Sequence, residues 1–179
     1  VYAQGEAESK NLIVNGDFSQ HGSFNKSDGT GVTFSVNGWK LENAALYDNN
    51  GDNYVDVWGT SMGISQAVDL EPKTCYCLTY SAAAKDGDAK TVNNAVVVTD
   101  KQGNLLGGNS VIRKNFYDTA DIYFKTGTDA AGTVIKIIKA NGLNTLVKNV
   151  ALYKSEEVSE DANLLVNGDA ELGNVTGWS

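Results

Sequence analysis

The chain has 179 residues, 41% of them apolar and 20% charged, which is enough to bury a core and ordinary for a globular protein. A net charge of −8 with a pI near 4.5 excludes a nucleic-acid-binding surface of the usual basic kind. No apolar run approaches the roughly 18 residues that a membrane-spanning helix needs.

The first residues, Val1-Tyr2-Ala3-Gln4, have the small-residue spacing that signal peptidase accepts. Residues 1–10 therefore read as a signal-peptide remnant and N-terminal segment, which places the protein outside the cell or on its surface. From there the chain is a series of short runs rich in β-branched and aromatic residues. The runs are Tyr54–Trp58, Ile64–Leu70, Tyr76–Tyr80, Ala95–Thr99, Ile122–Phe124, Val134–Ile138 and Leu146–Tyr153. Turn pairs punctuate them: Asn15-Gly16, Asn37-Gly38, Asn50-Gly51, Asp86-Gly87 and Asn141-Gly142. No stretch keeps a helical period. Many short strands with glycine-rich turns predict an all-β sandwich or barrel. Cys75 and Cys77 would share one strand face, where disulfide geometry is poor, so both are expected to be reduced.

The sequence also repeats itself. Asn11-Leu12-Ile13-Val14-Asn15-Gly16-Asp17-Phe18 recurs as Asn163-Leu164-Leu165-Val166-Asn167-Gly168-Asp169-Ala170, and each copy is followed by Gly-Trp, at Trp39 and Trp178. This predicts a domain over 11–154, an acidic linker over 155–162 and the start of a second module over 163–179. The first copy carries 13 more residues between its Asp and its Trp. They read as a polar loop, either ligand-contacting or a tolerated insertion.

Together these motifs resemble the jelly-roll carbohydrate-binding modules of families 4, 9, 16 and 22. The opening Asn-Leu-Ile-Val-Asn-Gly-Asp-Phe carries the likeness, as do the Ile64–Tyr80 run and the closing Val147-Lys148-Asn149-Val150-Ala151-Leu152-Tyr153. The resemblance implies a non-catalytic polysaccharide-binding module that holds an extracellular enzyme or surface complex on a glucan or hemicellulose, with starch-type α-glucans as a further class. It also implies a structural calcium, for which Asp17 and Asn149 can offer oxygens. Lys148 and Ser19 replace acids usual in that group and weaken the site. The alternative is a structural or adhesive β-sandwich of a cell-surface protein without sugar affinity.

Catalytic groups are sparse. His21 is the single imidazole and no nucleophile elbow is present. Sugar binding needs aromatic faces for pyranose C–H groups, with amides and carboxylates for the hydroxyls. If Val55 and Val57 face the core, Tyr54, Asp56 and Trp58 share the other face and form the leading candidate site. Gln66 lies among apolar neighbours and either satisfies buried backbone or reaches a cleft. Tyr47, Tyr117 and Tyr123 are further platforms, and Asn94 and Arg113 further hydrogen-bonding groups. Trp39 reads as a core anchor.

Overall fold

The computed structural model describes residues 10–60, 62–85, 91–113, 117–139 and 144–156. Residues 1–9, the turn pairs Asp86-Gly87 and Asn141-Gly142, and residues 157–179 with the second repeat lie outside the described residues, as do the side chains of Asn94 and Arg113. The described strands are β1 (Asn25–Ser27), β2 (Thr30–Thr33), β3 (Lys40–Leu41), β4 (Ala44–Asn49), β5 (Asp52–Val57) and β6 (Ile64–Val68). They continue with β7 (Cys75–Ala84), β8 (Thr91–Thr99), β9 (Leu105–Arg113), β10 (Asp118–Lys125), β11 (Thr133–Ile138) and β12 (Thr145–Lys154). They form a seven-stranded sheet, β1-β2-β4-β5-β12-β7-β10, and a five-stranded sheet, β3-β6-β11-β8-β9. All pairings within the two sheets are antiparallel. The chain is therefore an all-β jelly-roll sandwich of two antiparallel sheets, the fold that the family resemblance implies.

Alternation decides which residues fill the space between the sheets. In β7, Tyr76, Leu78, Tyr80, Ala82 and Ala84 point inward and are buried. Ile64 of β6, Ile135 and Ile137 of β11, and Val96 and Val98 of β8 meet them from the other sheet. Fully burying side chains of this size contributes about 1.5–3 kcal/mol each.

The repeated N-terminal motif proves to be a clasp. β12 pairs with β5 only over Thr145–Val147, then bulges between Lys148 and Ala151, with Asn149 at φ 53°. Past the bulge the N-terminal segment takes β5's place beside β12. Leu12 N–H donates to Leu152 O (2.8 Å), Leu152 N–H to Asn11 Oδ1 (3.0 Å) and Val150 N–H to Gly16 O (2.9 Å). A Cβ on Gly16 would stand 1.9 Å from Val150 O, so only glycine allows this approach. Asn15 Nδ2 donates to the carbonyls of Gln20 and Asn37, both at 2.8 Å, and its Oδ1 accepts Gln20 N–H. Phe18 is buried and meets Trp39 edge-on at 5.6 Å, while the Trp39 indole N–H donates to Asn15 O (3.0 Å). Trp39 is a core anchor, as its place in the repeat suggests.

The 13-residue insertion is not a loop throughout. It contains β1 and β2, a hairpin turned by Asp28-Gly29 with both φ positive, which extends the seven-stranded sheet beyond β4. The polar run Asn25-Lys26-Ser27 carries no strand signal of its own; its pairing with Thr30–Val32 makes it a strand.

Candidate functional site

The two sheets present two outer faces of different chemistry. On the five-stranded sheet, outward residues form cross-strand rows: Lys40, Ser65, Lys136 and Val97 in one, Ala67, Val134 and Thr99 in the next. Lys40, Ser65, Lys136, Ala67 and Val134 of these rows floor a groove of about 660 Å³, walled by Gly38, Trp39 and Glu42 and bordered by Gln66. Its size falls within the range of ligand-binding clefts, and its lining mixes apolar surface with ammonium, carboxylate, hydroxyl and amide groups. Lys40 and Glu42 pair loosely at 3.7 Å and both remain solvated.

Trp58 lies just past the end of β5 and is 36% exposed. Its N–H and that of Gly59 both donate to Asn43 O (2.9 and 3.2 Å), next to the Ala44–Val57 pair of β4 and β5. Glu42 N–H donates to Gly63 O, and the chain passes on to β6 in the other sheet.

Gln66 does the backbone work that was one of its two expected roles. Its Oε1 accepts Val14 N–H (2.9 Å), and its Nε2 donates to Val14 O and Gly38 O, both at 3.0 Å. All its donors are used, so it holds the clasp and the groove wall together and has no N–H left for a ligand.

The outer face of the seven-stranded sheet brings together the other predicted residues. Tyr47 and Tyr54 are direct cross-strand partners, their rings 5.7 Å apart and 10° from parallel. Asp56 shares their face but is closed off. It is 2% exposed, with Lys85 Nζ at 3.2 Å from Oδ2 and Asn144 Nδ2 at 3.0 Å from Oδ1. The predicted stack–acid–stack therefore becomes a tyrosine pair beside a buried, fully bonded acid. Burial pulls the Lys85 ammonium down, but the hydrogen bond and charge of Asp56 outweigh it and hold Lys85 above the ordinary lysine value. Lys148 bonds Asp52 Oδ1 (2.6 Å) and lies 4.4 Å over the Tyr117 ring. Tyr123, 68% exposed, sits farther along this sheet face as the cross-strand partner of Cys77. Cys75 and Cys77 form no disulfide, and both are half-buried. Lys85, Asn144 and Lys148 escape sequence reasoning because nothing local marks a residue whose partner is 29, 88 or 96 positions away.

Burial, with the nearby Asp52, Tyr54 and Asp56, raises the Tyr117 phenol far above its usual value, and burial raises Tyr54 as well. The folded protein thus holds these protons more tightly than the unfolded chain, whose tyrosines release them near pH 10. Stability is full below that pH and falls as pH climbs beyond it. Tyr117→Phe should flatten the fall in denaturant midpoint between pH 9 and 11; an unchanged slope would refute the assignment.

The calcium expectation meets a poor donor set. The Asp17 carboxylate accepts Ser19 N–H (3.1 Å), which lowers its pKa, and Asn149 is exposed on the bulge. The carbonyls beside them are engaged, Asn15 O by Trp39 and Phe18 and Gly16 O by Val150. Among the described residues no cluster of three or more His, Cys, Asp or Glu side chains could hold a metal ion. Ca²⁺ takes six to eight oxygens, so these residues do not fit it. His21 Nδ1 lies 2.7 Å from Gly22 O, and its ring packs on Phe24 at 4.5 Å.

No family model and no curated protein matches the sequence. Among solved structures, the chain is similar to an arabinose-bound α-L-arabinofuranosidase (TM-score 0.57, 14% identity, 82% of this chain and 26% of that one). It is also similar to the CBM22-1–GH10 modules of Clostridium thermocellum endo-1,4-β-D-xylanase 10B, complexed with xylohexaose (0.54, 14%, 83% and 29%). The CBM22-1 xylan-binding domain of Paenibacillus barcinonensis Xyn10C matches over nearly its whole length (0.54, 10%, 83% and 97%). The chain thus has the jelly-roll fold shared by carbohydrate-binding modules, and it spans under a third of the two longer proteins. Among the described residues no helix is long and apolar enough to cross a membrane.

Proposed function

We propose that this chain is a non-catalytic, extracellular polysaccharide-binding module and that the groove on the five-stranded sheet seats a glycan chain. The carrying observation is that groove, of ligand-cleft size and mixed polar and apolar lining, in a fold shared with a xylan-binding domain. Lys40, Glu42, Ser65 and Lys136 would bond sugar hydroxyls, while Ala67 and Val134 would offer apolar surface. The module would anchor an enzyme or surface complex on a hemicellulose or glucan, starch-type glucans included. The recurrence of Asn11, Asn15, Gly16 and Trp39 as Asn163, Asn167, Gly168 and Trp178 supports a second module of the same build, because each of these residues has a structural task in the first.

Affinity electrophoresis against xylan, β-glucan, mannan and starch tests the proposal. Retardation is expected on at least one, weakened at least tenfold by Lys136→Ala with Glu42→Ala. A protein that runs unretarded in all four gels would be the adhesive or structural sandwich instead.

A further inference from the structure

We infer that the outer face of the seven-stranded sheet, around Tyr47, Tyr54 and Tyr117, is a second glycan-binding surface, back to back with the groove. The inference rests on the sugar-binding reading above and makes the module bivalent. Three observations carry it. First, the two tyrosines are held as a parallel pair on adjacent strands, and both are only partly buried although neither contributes to the core. Second, the polar groups around them are fixed in place. Asp56 is locked by Lys85 and Asn144, and Lys148 is held between the Asp52 carboxylate and the Tyr117 ring. Third, Asp52 and Asp56 each have an ammonium partner, so the cluster has no uncompensated charge to attract an ionic ligand.

A surface of aromatic rings bordered by prearranged, charge-neutral hydrogen-bonding groups suits a neutral sugar chain. The rings accept pyranose C–H faces, and the ordered ammonium and amide groups meet hydroxyls without reorganising. A polyanion would be repelled by the chain's net charge of −8 and would find no unpaired ammonium among the described residues of this cluster. Lying on the opposite side of the sandwich from the groove, the surface would let one module bridge two glycan chains and so gain avidity on an insoluble polymer.

Titration calorimetry of the full chain with xylohexaose, cellohexaose and maltohexaose, and with a hexagalacturonate as the anionic probe, tests this. Two molecules of at least one neutral hexamer should bind per chain, and the hexagalacturonate should not bind. Tyr47→Ala with Tyr117→Ala should remove one of the two, and Ser65→Trp, which fills the groove, should remove the other. The pair Tyr47→Thr and Tyr117→Thr, which favours the strand conformation, guards against a folding defect. A single binding event that survives the tyrosine changes and is lost with Ser65→Trp would overturn the second surface and leave the groove reading intact. Hexagalacturonate binding lost with the tyrosine changes would overturn its neutral-glycan chemistry. No heat with any hexamer would overturn both readings.

Discussion

Gln66→Leu should lower the unfolding free energy by about 3 kcal/mol, read from the midpoint of a urea or guanidinium transition at unchanged slope. Leucine fills much the same volume but returns none of the hydrogen bonds to Val14 N–H, Val14 O and Gly38 O. Three backbone groups that share a largely buried partner would then have to find water. Gln66→Glu should be no better. It keeps an acceptor for Val14 N–H but sets a carboxylate against two carbonyl oxygens. A loss below about 1 kcal/mol for both variants would mean that the clasp holds without this amide.

The second large effect is asymmetric. Lys85→Met should destabilise by about 3 kcal/mol, and Asp56→Asn by clearly less. The two ends of the pair differ in solvation: the Asp56 side chain is 3% exposed and that of Lys85 45%. Removing the lysine leaves a buried carboxylate with only Asn144 to bond it, whereas removing the acid leaves an ammonium that can turn to water. Equal losses in chemical denaturation would show that Asp56 is better hydrated than its burial indicates.

Much of this fold is legible in the sequence, for reasons the structure makes physical. Period-two alternation in Tyr76–Tyr80 and Val134–Ile138 survives because one face of each strand must enter the core. The repeat is legible because Asn11, Asn15, Gly16 and Trp39 have tasks that other residue types cannot perform. The site is less legible. Tyr47 and Tyr54 fall together because two adjacent strands joined by the Asn50-Gly51 turn fix their register. Asp56 reads as an available acid because its partners arrive from distant strands. The groove is not legible at all: Lys40, Ser65 and Lys136 become neighbours only through the β3-β6-β11 register. Single polar residues on three separated strands carry no joint signal.

The most direct test of the central claim, that a sugar chain lies on the outer face of the five-stranded sheet, is a backbone amide NMR titration with the neutral hexamer that binds. Shift changes should cluster at Lys40, Glu42, Ser65, Ala67, Val134 and Lys136, separately from any at the Tyr47, Tyr54 and Tyr117 surface. Changes confined to Tyr47, Tyr54 and Tyr117, with the groove amides unmoved, would contradict it.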